Sequence, residues 1–200
     1  MELRDKILRA AADVFSEVGF RGATTRRIAQ EAGVNEITLF RHFGSKDRLL
    51  QEAIACEGVR PQAVPLPEAP QRPHTELLAW AREQLGHLRE KRSFIRTCMA
   101  EVDEHPEMIP PGNPTTTATR ALADYLQRLR DAGIAQAPFD PRIAAPMFIG
   151  ILFADAMGRD VMPDLYDNDA DLALTQYVDL FLRGIAVNHI AEVAPQDRTA

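Results

Sequence analysis

Apolar residues recur along this 200-residue chain at spacings of three and four, the period of helices that each bury one face. Ile7, Ala11, Val14, Phe15 and Val18 form the first such stripe, and Gly19 ends it. A second, shorter segment begins after Thr24 or Thr25, either of which can cap a helix whose buried face opens with Ile28 and Ala29. Gly33 then turns the chain, because a left-handed residue after a helix costs glycine little and a side chain with a Cβ more. Asn35 is placed to cap a third helix, on which Leu39 and Phe43 stand four apart with Val34 just ahead of the cap. Gly44-Ser45-Lys46-Asp47 supplies a stop and a new cap, and Leu49, Leu50 and Ala53 carry the pattern onto a fourth helix.

The pattern then breaks. Prolines at 61, 65, 67, 70 and 73 forbid a regular helix, and the stretch reads as a semi-rigid connector. Beyond it, helical periodicity returns over 75–91, 93–104, 115–132 and 140–157, with a last helix from 170 to about 193. Asp140-Pro141 is a clean start, an N-cap followed by proline at the first helical position; Pro146 is expected to kink that helix or delay its start. No strand-like alternation and no internal repeat appears, so the fold is all-α. The domains expected are a helix-turn-helix head over 1–55, the connector over 56–74, and a helical body over 75–200.

Thr24 to Lys46, TTRRIAQEAGVNEITLFRHFGSK, is the stretch that carries chemistry. One stripe of its second helix packs on the first, and the opposite stripe is polar and free to enter a groove of DNA. The segment resembles the TetR family of bacterial one-component repressors, whose N-terminal signature has the form TTxxIAxxAGVxxxTLYxHFxxKxxL. The likeness spans about the first quarter of the chain. It implies an all-helical homodimer with an N-terminal DNA-binding head and a C-terminal helical domain that dimerises and binds a small-molecule inducer. Carried over by position, Thr25, His42 and Lys46 are implied phosphate contacts, while Arg26, Glu36, Ile37 and Thr38 face base edges. Asn35 and Arg41 complete the implied interface, Arg41 reaching either the backbone or the groove edge. Phe40 departs from the pattern, which usually has tyrosine there, and so lacks one phosphate donor. Arg26 suits guanine through its fork of donors, Ile37 a thymine methyl, and Glu36 only an accepting contact to cytosine N4. Each has a plainer reading: Thr25 as a cap, Arg26 as a solvated cation, Glu36 as a carboxylate favoured by the helix dipole.

Net charge first contradicts a DNA partner and then does not. The chain totals −6, but residues 1–55 hold nine Lys and Arg against eight Asp and Glu, leaving fourteen against twenty-one elsewhere, or +1 and −7. Binding should therefore rest on a few placed cations in each head, with a shallow salt dependence. No apolar run reads as long enough to span a membrane and no secretory signal opens the chain, so a cytoplasmic protein is expected. Cys56 and Cys98 read as reduced thiols.

In the body, FIGILFADAMG places Gly150, Ala154 and Gly158 four apart. With Tyr177 and Phe181 on the last helix, this stripe is expected to build a four-helix bundle across a two-fold axis. Trp80, Phe94, Cys98, Met99 and Phe148 are candidate inducer contacts, since large flexible apolar groups suit an apolar or aromatic ligand. Cys98, Glu101 and His105 share a helix face as a conceivable metal set, but Pro106 ends the helix there and a core thiol explains Cys98 as well. No metal and no other cofactor is expected, and no nucleophile elbow, phosphate loop or paired carboxylates point to catalysis. The competing function is a metal- or ligand-sensing helical protein that binds DNA weakly or not at all.

Overall fold

The computed structural model describes residues 2–57, 64–106, 114–166 and 169–187. Among them are nine α-helices: α1 (Leu3–Gly22), α2 (Thr25–Ala32), α3 (Glu36–Phe43), α4 (Lys46–Glu57), α5 (Pro73–Glu90), α6 (Arg92–Glu101), α7 (Pro114–Asp131), α8 (Pro141–Gly158) and α9 (Ala170–Gly184). The described residues contain no strand, only an isolated bridge between Ala135 and Val187. The expected Pro61 lies outside the described residues, and the last helix, expected to run to about 193, ends at Gly184, with residues 185–187 non-helical.

Two apolar cores organise these helices. Ile7, Phe15, Ile28, Leu39, Phe43 and Leu50 close the first, formed by α1 to α4. Leu77, Trp80, Leu122, Tyr125, Phe148, Val178 and Phe181 close the second, formed by α5, α7, α8 and α9. Helix α6 has no fully buried residue and lies between the two. Its Phe94 and Cys98 pack against the first core, Phe94 edge-on to Phe15 at 6.0 Å between centroids, while Ile95 packs against the second.

Proline shapes both the connector and α8. Residues 64–72 are non-helical but docked: Leu66 enters the second core, Arg128 donates to the Pro67 carbonyl, and the Gln71 and Arg72 amides donate to Glu76. Burial pushes the Glu76 carboxyl up, but those amides and the Tyr125 hydroxyl hold it below its ordinary value. Pro146 does not delay its helix: it sits inside an α8 that begins at Pro141 with Asp140 accepting from the Arg142 amide. The exposed ring faces outward, and only one early backbone bond is lost. Helix α8 also corrects the membrane reading, since its 18 residues are by length and composition apolar enough to cross a bilayer. Half of that helix is buried inside the protein, and its Asp155 is wholly buried and ion-paired to Arg89 and Arg159.

Candidate nucleic-acid interface

The groove-facing surface is assembled by caps at three successive helix starts. Thr24, not Thr25, caps α2, its hydroxyl accepting from the Arg27 amide at 3.2 Å. Gly33 closes α2 in the left-handed region at φ 64°, and the Val34 amide returns to the Ala29 carbonyl at 2.9 Å. Asn35 caps α3 by accepting from the Thr38 amide at 2.9 Å, and Ser45 caps α4 by accepting from the Arg48 amide. Each such cap contributes about 1 kcal/mol, so the angle between α2 and α3 is fixed by local chemistry before any packing is counted.

With Leu39 and Phe43 buried, α3 turns the rest of its circumference outward. Ile37 is 70% and Phe40 50% exposed, and Asn35, Arg41 and His42 are exposed as well. Two large apolar side chains are thus held out of the head's core on α3. Arg26 is exposed on the first turn of α2, while Thr25, Glu36 and Thr38 are half-buried in the angle between α2 and α3. All ten residues expected at the interface thus lie on the start of α2, on α3 with its cap, or at the start of α4.

Thr25, Glu36 and Lys46, all among the ten, make internal bonds that sequence did not reveal. The Thr25 hydroxyl donates to Glu36 Oε1 at 2.6 Å. Lys46 Nζ donates to the Phe20 carbonyl at 2.5 Å and lies 4.3 Å from the Phe20 ring centroid, a cation–π contact that ties α4 to the end of α1. Next to Arg26, Arg27 pairs with Glu17 at 2.8 Å.

Behind the surface, α1 is bonded to α6. Gly19 interrupts α1 with φ 68° and ψ −175°, a conformation almost confined to glycine. The next amide, Phe20 N–H, donates to Glu101 Oε1 at 3.0 Å, and Thr97 donates to the Ser16 carbonyl at 3.1 Å. The His105 ring lies 3.9 Å from that of Phe20. On its other side α6 reaches α8: Arg96 donates to both oxygens of Asp160 and to the Met157 carbonyl, and Arg92 pairs with Asp160 at 2.8 Å. Hydrogen bonds from Arg96, then Arg92, hold the Asp160 carboxyl far below the usual carboxylate range. None of these partners was legible from periodicity, because they join residues about 60 to 80 positions apart.

The same bonds disperse the conceivable metal set. Glu101 is engaged with Phe20, and burial pushes the Cys98 thiol up to about 11, which disfavours the thiolate that binds metal. Among the described residues no three His, Cys, Asp or Glu side chains gather at metal-binding distance.

The five expected inducer contacts do not share a cavity. Trp80 and Phe148 are buried in the second core, Phe94 and Cys98 pack on the first, and Met99 is exposed. One side of α6 faces each core, so a stripe that reads as continuous in sequence is divided in space. An open cleft of about 610 Å³ lies instead between α7 and the start of α8, lined by Asp124, Arg130, Phe139, Asp140 and Arg142 among others.

The expected dimer stripe is divided likewise. Gly150 and Ala154 are exposed on α8, but Gly158 is covered by the Tyr166 side chain. Phe181 lies in the protomer's own core with its ring 4.6 Å from that of Phe148, and Tyr177 turns inward to donate to Asp155 at 3.1 Å. Sequence reasoning did not single out the large apolar residues that these two helices leave exposed. Ile143 and Met147 precede Gly150 and Ala154 at helical spacing, and Leu172 and Leu180 are exposed on α9.

Comparison with known proteins agrees with this geometry. Residues 7–53 match the family model described as bacterial regulatory proteins, tetR family. Over 188 residues the chain is 26% identical to the HTH-type transcriptional regulator YvkB of Bacillus subtilis, covering 92% of this chain and 97% of that one. The structure of the flavonoid-responsive regulator FrrA superposes with a TM-score of 0.71 at 27% identity, covering 92% and 94% of the two chains. That of SmeT, repressor of the Stenotrophomonas maltophilia multidrug efflux pump SmeDEF, gives 0.65 at 26% identity over 90% and 89%. With the capped helix-turn-helix and the two-core helical architecture, these likenesses agree: residues 7–53 form a tetR-family DNA-binding head, and the chain as a whole is similar to TetR-family transcriptional regulators.

Proposed function

We propose that the chain is a homodimeric repressor that binds a palindromic operator in the cytoplasm and leaves it when a small molecule binds the helical body. The observation that carries this reading is α3, with exposed Ile37, Phe40, Arg41 and His42 raised from a rigidly capped frame. Thr25, Arg26, Glu36, Thr38 and Lys46 border it, and are proposed with Asn35 as the DNA-contacting set. The open face of α8 and α9 supports a two-fold dimer through Ile143, Met147, Gly150, Ala154, Leu172 and Leu180, which sets two heads at successive major grooves about 34–36 Å apart. The head corresponds to residues 1–55 and the body to 75–200.

SmeT is named as a repressor and FrrA as a flavonoid-responsive regulator, which supports ligand-released repression and an apolar or aromatic effector here. The double bonding of α6, to α1 through Glu101 and Thr97 and to α8 through Arg92 and Arg96, offers a connection by which a ligand in the body alters the heads. Linkage then requires operator and effector to weaken each other by the same factor. Titration of operator DNA at fixed salt, with and without a compound that raises the protein's thermal midpoint, tests this. Release is expected; unchanged operator affinity with the compound bound contradicts it.

A further inference from the structure

At the start of α3, Glu36 and Thr38 have acceptors alone left to offer a ligand. A carboxylate has no proton to give, so in the 2.6 Å contact between Thr25 Oγ1 and Glu36 Oε1 the threonine is the donor. Thr38 Oγ1 lies 2.9 Å from Asn35 Oδ1, the same oxygen that accepts the Thr38 amide. The Thr38 hydroxyl proton is therefore committed as well. Glu36 and Thr38, half-buried on either side of exposed Ile37, therefore keep lone pairs alone for a ligand.

In the major groove guanine offers N7 and O6 and thymine offers O4, all acceptors, while adenine N6 and cytosine N4 are the amino donors. A carboxylate facing acceptors is repelled, and it is already disfavoured near phosphates. Only an amino group rewards its presence there. We propose that Glu36, held in place by the Thr25 hydroxyl, reads the exocyclic amino group of an adenine or cytosine and makes that base pair a determinant of operator choice. The inference rests on α3 being the recognition helix. Thr25 acts as a positioning residue, its hydroxyl fixing the carboxylate plane while a phosphate at the start of α2 is met by first-turn backbone N–H groups.

The test uses the full-length protein and Glu36→Ala in selections from a random duplex pool, which identify the base pair whose preference changes. Duplexes are then made with that pair's amino group deleted, or with carbon replacing purine N7. Deleting the amino group should weaken the wild type by about fivefold to a hundredfold, the range of one base contact, and leave Glu36→Ala unchanged, a coupling that a purely structural role for Glu36 does not produce. The N7 substitution should have no effect on the wild type. Thr25→Val should lose most of the amino-group sensitivity and Thr25→Ser should keep it, with the remaining motif positions intact in both as evidence of a folded head. Equal amino-deletion penalties in wild type and Glu36→Ala, sensitivity to N7 instead, or no changed position in the Glu36→Ala selection would each overturn the inference. If the wild type itself enriches no sequence, the operator reading falls and this inference with it.

Discussion

Phe40 stands half-exposed on α3 where the family pattern has a tyrosine, and the missing hydroxyl gives the residue scale its clearest prediction. Phe40→Tyr should tighten binding by about 0.5–1.5 kcal/mol, one neutral hydrogen bond, and equally for every DNA sequence, since phosphates carry no base information. Fluorescence anisotropy with matched and scrambled duplexes measures both. A gain confined to one sequence would mean that position 40 faces a base. Residue identity made this position legible without coordinates, and it did the same for Gly33, whose φ of 64° is the conformation its place after Ala32 requires. It did not reveal the Thr25–Glu36 bond or Lys46 over Phe20, because side chains that meet across a helix corner leave no period in the sequence.

At the scale of elements, caps and breakers wrote the helix boundaries plainly. Helices α2 and α3 begin after Thr24 and Asn35 as their hydroxyl and amide groups dictate, and α8 begins at Pro141 behind Asp140. What periodicity could not assign was which face of a helix meets which neighbour. Helix α6, expected to supply Phe94, Cys98 and Met99 to an inducer pocket, is a bridge; Phe181 was read as interface and fills its own core. The reason is visible in Asp155, a carboxylate in an otherwise apolar helix, where Arg89 at 2.7 Å on α5, Arg159 on α8 and Tyr177 on α9 meet. Burial pushes its carboxyl up, but Arg159 and Arg89 outweigh that and hold it below its ordinary value of 3.8. A depressed folded-state value means that the stabilisation is complete above the ordinary value and is lost as pH falls through the folded one. Asp155→Asn should cost about 2–4 kcal/mol at neutral pH, below the range for a fully buried pair because both arginines reach solvent. The deficit in thermal midpoint relative to wild type should hold from about pH 7 to 5 and narrow below about pH 4. A deficit independent of pH would assign the loss to packing.

On the proposed reading the whole molecule must place two heads on one duplex, and exposed apolar side chains on α8 and α9 offer a surface for a partner protomer. Leu180 is 67% exposed on α9, so in the proposed dimer Leu180→Glu should bring like charges together across a two-fold axis and shift sedimentation from dimer to monomer. Operator affinity should fall with it while the helical circular dichroism signal stays, because each protomer keeps its own cores. The head's charge near neutrality, with −7 on the remainder, leaves little nonspecific attraction, so affinity depends on placed contacts made twice. The most direct measurement is therefore selection of bound sequences from a random duplex pool by the purified full-length protein at moderate salt, repeated with Arg26→Ala. A palindrome with half-sites one helical turn apart, its preference relaxed at one symmetric position by Arg26→Ala, is the predicted result. Enrichment of no sequence, or of single sites without symmetry, would contradict a dimeric operator-reading regulator.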